Sequence, residues 1–191
     1  MRTKSPSKSE LASQSAEGAR EKTSGEPIAG RSFALKRILV PIDFSDCSLS
    51  AMGYALGLAA KFEARITLLH IVEPAVYADN YLNNPVAMEE ANVSLITAGR
   101  DRLAALQRRI SAQNSGGVET LVRMGRAQSD ITDTAEATGS DLIVMGTHGY
   151  GGLKHLLLGS TAERVIRHAP CPVLTVRRSA AAPAAAPRKD Q

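Results

Sequence analysis

Five glycines, at positions 146, 149, 151, 152 and 159, precede the pair Ser160-Thr161 in the stretch DLIVMGTHGYGGLKHLLLGSTAERVIR, residues 141–167. Glycines lack a Cβ, so backbone N–H groups in such a loop can approach a polyphosphate closely. Ala162, Val165, Ile166 and Ala169 follow at helical spacing, and Ser160 with Glu163 three residues on has the form of a capping box that starts the helix. The first N–H groups of that helix have no intrahelical partner and lie at the positive end of its dipole, so Gly146, Gly149, Gly159, Ser160 and Thr161 together suit an anion. The bland alternative is a long glycine-rich turn leading into a capped helix. Gly151 and Gly152 supply flexibility.

The spacing excludes two common phosphate motifs. No Gly-Lys-Ser/Thr occurs anywhere in the chain, and no G-x-G-x-x-G is present. His148 sits inside the glycine loop, where it contacts ribose, phosphate or solvent; a general base would need a partner and a placed water. His70 lies within an apolar strand and reads as a core histidine, and the four histidines show no metal-ligand spacing. Asp43 follows an apolar strand; its local role would be an Asx turn or a helix cap. Cys171, between two prolines, reads as a small buried hydrophobe rather than a redox group.

Gly146-x-x-Gly149, nine residues, then Gly159-Ser160 resembles the glycine motif of the ATP-binding branch of the universal stress protein family. Arg37-Ile38-Leu39-Val40-Pro41-Ile42-Asp43-Phe44-Ser45 resembles that family's first strand and turn. His168-Ala169-Pro170-Cys171-Pro172-Val173-Leu174 resembles its last helix-to-strand connection, so the likeness spans about residues 36–178. The resemblance implies an α/β fold: an open five-stranded parallel sheet of order 3-2-1-4-5 with helices on both faces, Rossmann-like and of the adenine nucleotide alpha hydrolase-like kind. It implies ATP as ligand, with Asp43 on the nucleoside and the Pro41 backbone nearby. The Ile71 backbone would meet the base, Met145 would pack on the nucleoside, and His148 and the motif residues would surround ribose and phosphates. Mg²⁺ is expected only together with the phosphates, since the chain has no carboxylate cluster for it. Tyr150 stands where many family members carry a basic or small polar residue, with Lys154 and Arg164 near enough in sequence to compensate, so ATP versus AMP preference stays open.

The resemblance also implies a homodimer through the edge of strand five, Val173, Leu174, Thr175 and Val176. The function implied is that of a nucleotide-responsive regulator of stress survival. Two alternatives remain: a slow ATPase or nucleotidyl transferase, and a dimeric scaffold of the same fold that binds no nucleotide. Against an enzyme stand the missing P-loop lysine, paired metal-binding carboxylates and recognisable base.

The elements that must hold these residues alternate along the chain. Strands are expected at Arg37–Ile42, Arg65–Val72, Val118–Met124, Leu142–Met145 and Pro172–Val176, apolar enough for a parallel sheet buried on both sides. Between them lie a helix from about Ser48 to Phe62 with Ser45 or Asp46 as N-cap, a helix carrying Ile96, Gly99, Leu103, Leu106 and Ile110 that ends near Gly116-Gly117, and one from Ala127 to Thr138 stopped by Gly139. A loop from Glu73 to about Pro85 carries Tyr77 and Tyr81. In an open parallel sheet ligands sit at the carboxyl ends of the strands where the winding reverses, which brings Asp43 and the Gly146 loop to one crevice.

Residues 1–35 read as a flexible leader, 36–178 as the domain and 179–191 as a disordered Ala/Pro-rich tail. The formal charge is +4, but residues 37–177 carry thirteen basic and fourteen acidic side chains, so the excess lies in the two tails. A near-neutral domain argues against a nucleic-acid partner. Two cysteines, no signal-peptide core and no apolar run long enough to span a bilayer point to a cytoplasmic protein without a membrane partner.

Overall fold

In the computed structural model, residues 34–74, 85–111, 117–149 and 158–177 are described, all within one compact unit, Ala34–Gln191. The elements run β1 (Arg37–Pro41), α1 (Asp46–Phe62), β2 (Arg65–Val72), α2 (Pro85–Ile110), β3 (Val118–Met124), α3 (Ala127–Thr138), β4 (Leu142–Gly146), α4 (Ser160–His168) and β5 (Val173–Val176). Every strand pair is parallel, and the order is β3-β2-β1-β4-β5. This is the sheet that the resemblance implied. Apart from Ala34 and the buried Leu35, the leader lies outside the described residues, as does the tail.

Alternation of side chains along the central strands builds two cores. Ile38, Val40, Ile66, Leu68, Leu142 and Val144 face α1 and α2, while Leu39, Leu69, Ile143 and Met145 face α3 and α4. On α1, Ala51, Ala55 and Ala59 are fully buried. Their small side chains let the helix axis lie close to β1 and β4, which sets the position of its first turn beside the end of β4.

Caps end the elements where composition suggested. Ser45 Oγ accepts from Ser48 N at 3.2 Å at the start of α1. Gly139 closes α3 with φ 57°, donating its N–H to Ala135 and Glu136 carbonyls; a left-handed residue is cheapest as glycine. At the other end of α3 no side chain caps from the N-cap position; the Asp130 carboxylate instead accepts from Arg126 N at 2.8 Å.

The second helix begins at Pro85, well before the Ile96 at which its apolar repeat starts. Residues 85–95 expose Val86, Val93 and Leu95, so this first part of the helix has no apolar core stripe to mark it in the sequence. Proline at its first position forfeits no helical hydrogen bond. Tyr77 and Tyr81 of the preceding loop, and Gly116 after the helix, lie outside the described residues. Strands one and five are one residue shorter than expected, at Ile42 and Pro172; Ile42 N nonetheless donates to Leu69 O at 2.7 Å. Among the described residues no helix is long and apolar enough to cross a membrane.

Ala55→Leu is expected to overpack the α1–sheet contact and lower stability by about 1–3 kcal/mol, read as a reduced urea midpoint with unchanged slope.

Candidate functional site

Beyond the last β1–β2 partners, Pro41 and Leu69, strand β2 continues through Val72. The shorter strand leaves a crevice of about 610 Å³ at the carboxyl ends of β1 and β4, in the size range of small-molecule sites. Pro41, Asp43, Ile71 and Met145 line it, together with the loop residues Gly146, His148 and Gly149 and the helix start Gly159, Ser160 and Thr161. The fold thus brings every site residue named from the sequence to one place.

The two ends of the crevice differ. At one end Leu69, Ile131, Met145 and Ala162 form an apolar floor continuous with the core. In a parallel strand the N–H and C=O of one residue point to the same side, and successive residues alternate. Leu69 O is bonded to Ile42 on the β1 side and Val72 O to Gly125 on the β3 side; the Ile71 N–H and C=O therefore face the β1 side, beyond the end of β1. One donor and one acceptor above an apolar floor match a flat heteroaromatic ring. Ala127 and Ile131 of α3 also line this end; the sequence marked Ala127 only as the start of that helix.

Asp43 is held by its own turn. Its Oδ1 accepts from Ser45 N at 3.0 Å and from Ser45 Oγ at 2.6 Å, so the Asx turn exists. Its Oδ2 lies 2.8 Å from the point where a Cβ on Gly149 would stand, which puts that oxygen at the mouth of the glycine loop. The turn is kept by an unusual neighbour: Phe44 has φ 64°, a left-handed conformation that an aromatic residue adopts only under constraint. Its ring lies 4.8 Å from the His70 ring, and the Arg102 guanidinium sits 3.8 Å from its centroid. His70 Nδ1 donates to Ile42 O at 2.7 Å, since a carbonyl can only accept. His70, expected in the core, is half-buried at its edge, packed and hydrogen-bonded, with Gly99 of α2 against it.

At the polar end the helix start differs from the capping box expected. The N-cap of α4 is Gly159, not Ser160, and among the described residues no side-chain cap hydrogen bond is made there. Glu163 turns away and pairs with Arg167 at 2.7 Å. An i,i+4 ion pair on the exposed face competes for the carboxylate; among the described residues the first-turn N–H groups consequently line the crevice without a side-chain acceptor. Ile166, expected in the core, is exposed because α4 packs through Ala162 and Val165.

The family model for the universal stress protein family matches residues 34–177. The chain belongs to the universal stress protein family. A universal stress protein of Methanocaldococcus jannaschii is 34% identical over 143 residues, covering 75% of this chain and 82% of that protein. The structure of universal stress protein UspA from Lactobacillus plantarum superposes with a TM-score of 0.67 at 29% identity, over 74% of this chain and 97% of that one. A universal stress protein family protein from Arabidopsis thaliana, with AMP bound, shares the fold at 20% identity and a TM-score of 0.51, over 76% of this chain and 93% of that one.

In this universal stress protein the motif glycines serve its own packing. Among the described glycines a positive φ occurs at Gly117 and Gly139, not at Gly146, Gly149 or Gly159. What these three need is space. A Cβ on Gly146 would stand 3.0 Å from the Cys47 main-chain carbon, and one on Gly159 would stand 3.1 Å from Thr147 O. The glycines bring α1, Asp43 and α4 onto the loop, and Tyr150 and Lys154 lie outside the described residues. Cys171 is half-buried, and burial, reinforced by the charge of Asp141, raises its thiol pKa.

These distances separate two substitutions. Gly146→Ala meets main chain and should cost about 1–3 kcal/mol of stability, whereas Gly149→Ala meets only a carboxylate oxygen that can rotate. We expect Gly149→Ala to keep the urea midpoint nearly unchanged while weakening ligand binding by displacing Asp43, as measured by paired denaturation and titration curves.

Proposed function

We propose that this universal stress protein binds an adenine nucleotide, ATP foremost, and acts as a nucleotide-responsive regulator of stress survival in the cytoplasm. The observation that carries the reading is the polarity of the crevice. An apolar floor with the outward Ile71 backbone lies at one end, and the loop and uncapped α4 start lie at the other. A base, a ribose and a phosphate chain have the same order of properties. The AMP-bound Arabidopsis protein shares this fold. In the proposed pose Ile71 reads the base, Met145 packs on the nucleoside, and Asp43 with the Pro41 backbone meets the ribose. Gly146, His148, Gly149, Gly159, Ser160 and Thr161 surround the phosphates. Bound nucleotide would shift the population of the loop surfaces that partners read.

Among the described residues no group of three His, Cys, Asp or Glu side chains could hold a metal ion. Mg²⁺ would accordingly arrive with the phosphates. We further propose a homodimer through β5, an edge strand of the sheet that carries the exposed Leu174, with exposed Ile166 on the neighbouring α4. Residues 1–35 and 179–191 would be extensions of the 36–178 domain.

Calorimetric titration should show ATP binding more tightly than GTP, and Gly159→Val should weaken it by ~10-fold through strain on the Gly159 N to Thr147 O contact of 2.8 Å. Absence of ATP binding would leave the scaffold reading. In single turnover, phosphate release faster than about one per minute, still far below common enzyme rates, would favour the ATPase reading instead. Leu174→Lys should convert the dimer to monomer in sedimentation velocity, and an unchanged boundary would place the interface elsewhere.

A further inference from the structure

Thr147, directly after β4, is buried and held by its backbone on both sides. Its N–H donates to Val176 O at 2.9 Å, and its carbonyl accepts from Gly159 N at 2.8 Å. Its hydroxyl lies 3.0 Å from His148 Nδ1 and 3.8 Å from Cys47 Sγ. Cys47 Sγ is also 3.5 Å from Val176 O. A carbonyl cannot donate, so the one thiol proton belongs to that contact. Were the imidazole proton on Nδ1, the Thr147 hydroxyl would accept from it and its own proton would be left with a distant sulfur, a weak acceptor. With a lone pair on Nδ1 the Thr147 proton has the nearer and stronger acceptor, and this arrangement is the better satisfied of the two. A neutral imidazole whose Nδ1 accepts carries its proton on Nε2.

His148 Nε2 is a buried atom with no hydrogen-bond partner among the described residues. The ring carbon bonded to it, Cδ2, lies 3.9 Å from where a Cβ on Gly159 would stand. This edge of the ring is thus beside the uncapped start of α4. A buried donor left alone costs folding free energy, and sites that do so are commonly completed by a ligand.

We propose that Thr147 is a positioning residue that holds His148 as the Nε2–H tautomer, so that the imidazole joins the α4 start in donating to an anionic phosphate oxygen. This rests on the reading of the crevice as a nucleotide site. Thr147, the first of the two residues between Gly146 and Gly149, takes this role through its hydroxyl. Cys47 contributes by keeping its own proton on β5 rather than on Thr147.

The test uses the full chain labelled with ¹⁵N-histidine, the His148 signals being assigned by their loss in His148→Gln. Long-range ¹H–¹⁵N spectra should show Nε2 protonated in the wild type and in Thr147→Ser, and a mixture of tautomers in Thr147→Val. ATP affinity should fall ~10-fold in Thr147→Val and stay within about twofold in Thr147→Ser. Adenosine, which lacks the phosphate, should bind wild type and Thr147→Val equally. A wild-type Nδ1–H tautomer, an unaltered tautomer in Thr147→Val, or an equal loss of adenosine and ATP would overturn the proposal. Failure of the wild type to bind ATP would sink the crevice reading and the ligand half of this one, while the spectra decide the tautomer half by themselves.

Discussion

Strands β1 and β4 are neighbours, yet the chain leaves them on opposite faces of the sheet, and the site depends on that divergence. They are paired at Ile38–Leu142 and Leu39–Ile143, and at their amino ends the Asp141 carboxylate accepts from both Lys36 N and Arg37 N at 2.8 Å. From the carboxyl ends α1 departs to the face it shares with α2, and α4 to the face it shares with α3. Among the described residues no connection crosses the gap between them. Open parallel sheets bind ligands at such gaps because the backbone groups there have run out of strand partners.

The gap is narrowed by close approaches that only small residues allow. Ala51, Ala55 and Ala59 let α1 settle on the sheet, and Gly146 lets its first turn reach the end of β4. Gly149 admits the Asp43 carboxylate, and Gly159 admits Thr147 O, to which it is hydrogen-bonded. Each glycine exchanges a side chain for a neighbouring element. The described ends of the loop, residues 146–149 and 158–159, are therefore set by packing with no ligand present, and preorganisation of this kind reduces the ordering that binding must otherwise accomplish.

A second layer stands behind Asp43. Phe44 is held left-handed between His70 and Arg102, His70 is tied to Ile42 O, and Gly99 makes room for the imidazole. Residues of α2 thereby reach the turn that places Asp43, although none of them lines the crevice. The strain at Phe44 is tolerated because ring contacts, a cation and a buried hydrogen bond all act on the same turn.

The amino-acid sequence alone determined the element types and the bounds of β2, β3 and α3. β2 is a mostly apolar run, β3 is an edge strand set between Gly117 and Gly125, and α3 stops where Gly139 can turn left-handed. The sequence's motif spacing also named the glycines and the helix start, which are local features, while Pro41, Asp43, Ile71 and Met145 came from the family resemblance. What it could not determine was whom those residues touch. Ser160 and Glu163 have the local form of a capping box, but an ion pair with Arg167 on the solvent face wins the carboxylate. His70 and Arg102 carry no joint signal, since their contact through Phe44 spans three elements. The hydroxyl of Thr147 acquires meaning only when folding sets it between Cys47 and His148. Local propensity is written in neighbouring residues, whereas hydrogen-bond partners and close approaches are decided by the path of the chain through space.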